Sequence, residues 1–299
     1  MISLATYVGR ALRWRVLIRS LKGRVELLPL INATIIGFAA VTLLGRPGEF
    51  VRPYLIAIKE KLPFSSQLAA WFVERIYDLL VALVIFGYAL AQVGTERATM
   101  QPGPATAFIL RTGGWITVVA CIACLVVLLG MRKLSAAFRE KLLGRLRFLS
   151  EHNFGRVEKI ITAFLEGAAS TKSGWATLQV LFWSVLEWVL IAGCYICIIR
   201  SFGDMEAVRA FSVTDVIIFM GFVSFGSLIQ IPGIGGGVQV VAILVLTEIF
   251  GVPVETATSI AVLIWAITFA LVLPLGVILA LKEGITWATV KAAGREAIS

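Results

Sequence analysis

The chain has 299 residues, of which 59% are hydrophobic and 15% are charged, and its formal net charge is +9. A soluble domain cannot hide this much apolar surface, so the composition excludes an ordinary soluble enzyme and indicates helices that span a membrane. The basic residues flank the apolar segments, and this placement does not indicate nucleic-acid binding.

The first segment of the chain is basic and only half apolar, and it shows no cleavable signal. Helical spacing brings Arg10, Arg13 and Leu17 close together on one helix. We expect Trp14 and Leu17 to lie at the membrane interface while the two arginines extend into water.

Apolar segments follow one another along the rest of the chain, separated by polar stretches. The stretch at 131–173 is the most basic, so we expect it to be cytoplasmic, with amphipathic helices on the membrane face. The apolar segments lie at 27–44, 53–60, 66–93, 112–130, 174–199, 213–231, 238–250 and 257–281.

Segment 27–60 is predicted to be a re-entrant hairpin that enters and leaves the membrane at the cytoplasmic face. A full crossing by 27–44 would place the arginine-rich N-terminus outside, against the positive-inside tendency. The returning piece, 49–60, is about 18 Å long as a helix, whereas a hydrocarbon core is about 30 Å thick. For 213–250, re-entry from the outside is favoured over two full crossings by the same argument.

Hairpins that enter from opposite faces are typical of transporters built from inverted repeats. We therefore predict an all-α fold, a polytopic membrane helix bundle with two inverted re-entrant helical hairpins and with both termini cytoplasmic. The bundle is a single membrane domain over 1–299. Its predicted parts are a first half, 1–130, with hairpin 27–60, a cytoplasmic amphipathic linker, 131–173, and a second half, 174–299, with hairpin 213–250.

Each hairpin turns at a break rich in glycine and proline, at 45–49 and at 231–237. Non-helical backbone at membrane depth is tolerated only inside protein or beside a water-filled cavity. The returning half-helices begin just after the breaks, so their free N–H groups suit an anion such as a lipid phosphate. At the second break, the glycines permit close approach of a headgroup and a glutamine can hydrogen-bond to it. These candidate binding residues are Gly233, Gly235, Gly236 and Gln239.

Charged residues cluster at the first break and in the next apolar segment. Arg46 is the best candidate for binding a phosphate because its guanidinium matches phosphate geometry, and Arg52 can pair with Glu49 on one helix face. Glu74, Arg75 and Asp78 lie within one turn of the next apolar segment, and ionisable groups in a membrane helix rarely face lipid. We therefore expect them to meet Arg46 or Arg52, where they form either a structural network or an ion path. The candidate residues of this first site are Arg46, Gly48, Glu49, Arg52, Glu74, Arg75 and Asp78.

The remaining polar groups in apolar segments give weaker signals. Glu187 stands alone, so we expect it to be either protonated or paired across helices. The cysteine pairs at 121 and 124 and at 194 and 197 have metal-ligand spacing, but no histidine accompanies them, and we interpret them as core residues. The sequence contains no recognisable set of a nucleophile and a base and no nucleotide-binding motif. We therefore expect no enzyme activity, no metal and no cofactor.

Two sets of residues resemble the signatures of a known family. The first set is 10–14, 37–38, 45–49 with Arg52, and 73–75 with Asp78, and the second is 231–236, 251–253 and 255–257. By these motifs, which extend from about residue 10 to residue 281, the chain resembles the lysylphosphatidylglycerol synthase transmembrane-region family, whose members are flippase-like membrane proteins.

The resemblance implies that the protein moves or binds an anionic phospholipid between the leaflets of a bacterial cytoplasmic membrane, with aminoacylated phosphatidylglycerol as a candidate lipid. It places the charged residues of the first site along the lipid path. This chain has Gln239 where many relatives have glutamate. It also begins without the one or two helices that usually precede the first motif, so we expect a shortened N-terminus. It lacks the soluble aminoacyl-transfer domain, so lysine transfer is not expected.

Two other classes of function stay open. One is an ion- or proton-coupled transporter of a small anionic solute, and the other is a membrane-embedded lipid-modifying enzyme. The expected partners are an anionic phospholipid and the membrane, with a second copy of the chain as a candidate for a homodimer and no nucleic acid. A cavity sealed from lipid favours the solute, whereas a lateral opening between helices favours the lipid.

Overall fold

The computed structural model of the protein describes residues 2–19, 21–96, 104–132, 144, 151–168, 173–226, 230–231 and 235–285, and Gly233 lies outside them. Helices dominate. They are α1 Ile2–Ile18, α2 Leu27–Leu44, α3 Val51–Glu60, α4 Phe64–Glu96, α5 Pro104–Arg132, α6 Glu151–Ala168, α7 Gly174–Arg200, α8 Glu206–Arg209, α9 Val213–Gly226, α10 Gly237–Leu244 and α11 Val254–Lys282.

Within the described residues, five helices are long and apolar enough to cross a membrane. The helical, multi-pass membrane fold that the sequence predicts is thereby confirmed, whereas the re-entrant placement of the hairpins stays a prediction. The five candidate spans are Leu27–Leu44, Phe64–Val93, Thr112–Gly130, Gly174–Arg200 and Val254–Lys282.

The first hairpin consists of α2, a 3₁₀ turn at Arg46–Phe50, and α3. The turn begins at Gly45, whose φ of 69° is a conformation that glycine adopts without strain. Both arms end at the same end of the bundle, because Asn32 of α2 and Lys59 of α3 bind the same carboxylate, that of Glu283, at 2.9 and 2.5 Å. The chain therefore leaves this end and returns to it within one hairpin.

The second hairpin consists of α9, a break, and α10, which continues as a π-helical turn, Val245–Ile249. The break contains a short antiparallel bridge that the sequence did not predict, between β1 Gln230–Ile231 and β2 Gly235–Gly236. The arms meet again at the far end, where the rings of Phe211 and Phe250 lie 4.8 Å apart. This hairpin therefore also returns to the end of the bundle from which it starts.

The two halves of the chain are packed across each other. Helix α4 follows the first hairpin but packs on α9 of the second, whereas α11 follows the second hairpin but packs on α2 of the first. Small residues permit these close approaches. Gly221 lies against Ala89, and Gly276 lies so close to Ala39 that no side chain fits there. Helices α4 and α11 thus each contact both hairpins, since α4 also packs on α3 and α11 also packs on α10.

Helix α1 runs through the centre of the bundle, packed against α7, α2 and α4. Trp14 and Leu17 are fully buried, so the predicted interfacial position of these residues is wrong. The physical reason is that α1 uses its apolar side chains to contact other helices on several sides. The sequence pattern alone does not distinguish this burial from contact with lipid.

The two described chain ends lie at opposite ends of α7. Ser3 Oγ is 3.4 Å from Cys194 Sγ, near the end of α7, whereas Ile285 lines the same cavity as Gln179, near its start. Residues 286–299 lie outside the described part of the chain, so the cytoplasmic placement of both termini stays a prediction.

The predicted linker at 131–173 contains α6, which packs on α4. The backbone of Gly167 lies against that of Ser66, and the neighbouring Ala168 is fully buried. Residues 133–143, 145–150 and 169–172 lie outside the described residues, so the cytoplasmic, amphipathic character of the linker stays a prediction.

Candidate functional site

A network of arginine and carboxylate side chains lies at the centre of the bundle, where α1, α3, α4 and α7 meet. Arg13 of α1 is fully buried. Its Nη2 donates to Oε1 of Glu74 at 2.6 Å, and its Nη1 donates to Oδ1 of Asp78 at 2.5 Å and to the Ser184 hydroxyl at 2.8 Å. One guanidinium thereby joins three helices through charge-assisted hydrogen bonds, which are the strong class of hydrogen bond.

Glu187 of α7 completes this network from the opposite side. Its Oε1 lies 2.5 Å from Nη2 of Arg10, its Oε2 lies 3.2 Å from Nη2 of Arg13, and its side chain is buried. Of the two states that the sequence left open for Glu187, the structure has the one in which it pairs across helices. The Arg10 guanidinium also lies over the ring of Phe38, 4.3 Å from its centroid, which links α2 to the network.

The first hairpin contributes Arg52, near the start of α3. Its Nη1 donates to Oε2 of Glu74 at 3.0 Å, its Nη2 donates to the carbonyl of Arg10 at 3.1 Å, and its guanidinium lies over the Trp14 ring. Gly37 of α2 permits this approach, because a Cβ there would lie 2.6 Å from the Cβ of Arg52. The hairpin is therefore fixed to the buried charges by an arginine of its own.

The structure brings together four of the predicted residues of the first site. Arg52, Glu74 and Asp78 belong to the central network, and Arg75 lies at its edge, 3.9 Å from Asp78. The three ionisable residues of α4 were expected to meet Arg46 or Arg52, and of these Glu74 contacts Arg52, whereas Asp78 binds Arg13 of α1 instead.

Arg46 and Glu49 lie apart from the network, in the turn between α2 and α3. They pair with each other at 2.7 Å, and 46% of the Arg46 side chain is exposed. The predicted pairing of Glu49 with Arg52 is wrong, because Glu49 lies in the 3₁₀ turn before α3 begins. Gly48 packs against the backbone of Ala40, so its small size serves close packing of the turn.

The predicted residues of the second break lie in another part of the bundle. Gln239 accepts a hydrogen bond from the Gly236 N–H at 2.8 Å and so caps the start of α10. Gly236 has a φ of 105°, a backbone conformation that glycine adopts without strain. Gly235 pairs with Ile231 in the short bridge. The helices on either side belong to a second hydrophobic core with α11, separate from the core around Trp14.

Sequence reasoning missed Arg10 and Arg13 as members of the site. A signal was present, because three carboxylates, Glu74, Asp78 and Glu187, lie in apolar segments and buried anions require partners. The arginines at the first break do not neutralise all three. The two arginines of the first segment, three residues apart on one helix face, were the remaining cations within reach.

A large open cavity of about 1680 Å³ lies at the end of the bundle where the first hairpin begins and ends. Its wall combines apolar side chains, such as Val16, Leu28, Ile58 and Trp183, with charged ones. The charged lining residues are Arg15, Arg19, Lys22, Arg24, Glu26, Lys59, Glu60 and Glu283.

A smaller cavity of about 170 Å³ lies between α1 and α7 on the other side of the network, lined by Tyr7, Arg10 and Tyr195 among others. The central network lies between the two cavities: Leu12 and Trp183, next to Arg13 and Ser184, line the large cavity, whereas Arg10 of the network lines the small one. Across the described part of the chain, no group of three histidine, cysteine or acidic side chains has the geometry to hold a metal ion.

The fold and these buried charges define a multi-pass helical membrane protein with a charged centre. The family model described as the lysylphosphatidylglycerol synthase TM region matches residues 1–276. The chain belongs to this family, and the resemblance drawn from its motifs is confirmed. Comparison with curated proteins and with solved structures gave no match. Family and fold together fit a lipid-related membrane protein.

Proposed function

We propose that the protein moves an anionic phospholipid between the leaflets of a bacterial cytoplasmic membrane. The observation that carries this proposal is the open cavity of about 1680 Å³ with a wall that is both basic and apolar. Pockets for small ligands measure about 300–1,000 Å³, so the size favours a lipid headgroup over a small anionic solute.

The position of the cavity suits entry from the bilayer. Helices α2 and α7 both pack against α1 and make no extended contact with each other. Leu28 of α2 and Trp183 of α7 are apolar wall residues on these two helices. A lipid can therefore place its headgroup in the cavity while its acyl chains stay in the surrounding bilayer. This gap between α2 and α7 is the lateral opening that favours a lipid over a soluble substrate.

The charges around the cavity indicate its side of the membrane. The same end carries Lys61 and Lys282 in addition to the basic residues of the wall, whereas Asp204, Glu206 and Asp215 lie at the other end of the bundle. Because basic residues concentrate on the cytoplasmic side, we place the cavity there. The first hairpin then enters from the cytoplasm, and the second enters from the outside.

Transport rather than catalysis is the activity that we propose. The carboxylates of the central network that an enzyme would need as acid or base are Glu74 and Asp78, and neither lines the cavity. Each is bound to Arg13, and Glu74 is bound to Arg52 as well. Because arginine already binds their oxygens, we assign these two carboxylates to the structure of the network.

The test is lipid movement by the purified full chain in reconstituted vesicles, measured as the fraction of fluorescent phosphatidylglycerol that becomes accessible to an external quencher. We expect Arg46→Ala to slow this movement about tenfold, the size of effect that follows from losing a hydrogen bond to a charged group. Arg46 is half exposed in the turn of the first hairpin, so its removal is expected to leave the fold intact.

Arg200→Ala is the matched control, because Arg200 is exposed at the end of α7, away from both hairpin turns. Thermal unfolding of each variant in detergent checks that it is folded. Movement at the wild-type rate in Arg46→Ala would show that Arg46 is structural. Wild-type protein that moves no anionic lipid would contradict the proposed function itself.

A further inference from the structure

We infer that the cavity binds a phosphate headgroup without an attached ammonium group, and that an aminoacylated headgroup is disfavoured there. This inference rests on the proposed function and narrows the class of lipid. It comes from the charges of the wall that have no partner among the residues that the structure describes.

Two of the five basic side chains of the wall are neutralised by neighbours. Lys22 pairs with Glu60 at 2.7 Å, and Lys59 pairs with Glu283 at 2.5 Å. These pairs leave a group of three arginines and a single acidic residue. Across the described residues, Arg15, Arg19 and Arg24 form no ion pair, and neither does the acidic residue Glu26.

The three arginines, which we call the arginine group, are placed to act on one ligand. Arg15 lies in the last turn of α1 and Arg19 follows directly after the end of this helix, and Arg24 lines the same cavity from the segment before α2. Like charges along one cavity wall repel each other. Within the described residues no carboxylate relieves that repulsion, whereas a bound phosphate would, through the bidentate geometry that arginine offers.

Apolar side chains alternate with the arginine group along the wall. Leu12 and Val16 of α1 line the cavity next to Arg15 and Arg19, and Trp183 faces it from α7. A ligand that pairs a phosphate with a glycerol and acyl portion fits this alternation better than a free inorganic anion, which has no use for the apolar surface.

The surplus of positive charge sets the order of preference among headgroups. Phosphatidylglycerol is an anion, its alanyl ester is zwitterionic, and its lysyl ester carries two ammonium groups and a net positive charge. With three unpartnered arginines and one unpartnered glutamate on the wall, each added ammonium group meets net repulsion. The expected order of affinity is therefore phosphatidylglycerol, then the alanyl ester, then the lysyl ester.

The experiment measures binding separately from movement. Purified full chain in a neutral detergent is titrated with short-chain phosphatidylglycerol, its alanyl ester, its lysyl ester and glycerol 3-phosphate, with tryptophan fluorescence as the readout. We expect phosphatidylglycerol to bind at least about tenfold more tightly than the lysyl ester, and glycerol 3-phosphate to bind more weakly than the lipid.

The arginine group is tested by substitution. We expect Arg19→Ala and Arg24→Gln each to lower the affinity for phosphatidylglycerol about fivefold, the effect of one basic residue beside an anionic headgroup. Lys282→Ala is the matched control, because Lys282 is exposed at the same end of the bundle but does not line the cavity. The double reversal Arg15→Glu and Arg19→Glu is expected to shift the preference toward the lysyl ester.

Lysyl ester that binds as tightly as phosphatidylglycerol would overturn the inference and leave the proposed function standing. Glycerol 3-phosphate that binds as tightly as the lipid would overturn it in favour of a soluble phosphate ligand. An equal loss of affinity in Lys282→Ala would show that the whole basic end attracts anions and that the cavity has no part in recognition. A chain that binds none of the lipids and moves none in vesicles would contradict the proposed function as well.

Discussion

Arg13→Ala is expected to destabilise the folded protein by about 3–5 kcal/mol, the cost of removing one partner from a buried ion pair. Arg13 is fully buried and binds Glu74, Asp78 and Ser184, with Glu187 close by. Its removal leaves carboxylates in an apolar interior without their main cation, and ionised carboxylates there are costly. The measurement is thermal or denaturant unfolding of the purified protein in detergent.

Two further variants make this prediction specific. Arg13→Lys keeps the charge, but a single ammonium group cannot reproduce the planar fork that reaches α4 and α7 together, so we expect an intermediate loss of stability. Arg15→Ala, two residues further along α1 and exposed, is expected to change stability by no more than about 0.5 kcal/mol. Unfolding of Arg13→Ala at the wild-type midpoint would show that the network contributes little to stability.

Gly48→Ala is expected to destabilise the first hairpin by about 1–3 kcal/mol, the usual cost of overpacking. A Cβ at Gly48 would meet the carbonyl group of Ala40 and the amide nitrogen of Val41, 2.5 Å away. These are backbone atoms, so relief requires the 3₁₀ turn to move away from α2. Such a shift would displace the turn that carries Arg46, and we expect slower lipid movement as a second effect.

Gly114→Ala in α5 is the matched control, because a Cβ at Gly114 meets nothing within 4 Å. In a helix interior this change is expected to be neutral or slightly stabilising, since alanine favours the helix. By its position in the sequence, Gly48 is a candidate binding residue of the first site. If Gly48→Ala kept wild-type stability and lost lipid movement, that assignment would be supported over the packing role.

The sequence predicts the long helices, both hairpins and the family because these features depend on local signals. Apolar length, glycine and proline at the turns, and ordered motifs are all visible in one dimension. The central network was only half predictable. Glu74 and Asp78 are four residues apart in one helix, so their association is local, whereas Arg13 meets them from a helix more than sixty residues earlier in the chain.

The position of α1 shows most clearly where sequence reasoning stops. Arg10 and Arg13 beside Trp14 form a pattern typical of a membrane interface, yet they lie in the centre, where they pair with the buried Glu74 and Glu187, with Asp78 and with Ser184. Likewise, Glu49 and Arg52 have the spacing of a helical ion pair, but the helix begins only at Val51. The position of Arg10 and Arg13 depends on their partners in other helices, and the pairing of Glu49 depends on where α3 begins. Neither can be read from local residue spacing.

The crossed packing of the two halves has a mechanical consequence. Helix α11 contacts α2 and α10, and α4 contacts α3 and α9, so each long helix is a shared support for both hairpins. If α4 or α11 tilted, the turns of both hairpins would move together. If the hairpins enter the membrane from opposite faces, this one movement would open the protein at one membrane surface and close it at the other. Widening at one side of the bilayer would then accompany narrowing at the other, a reciprocal motion for which no separate signal between distant sites is needed.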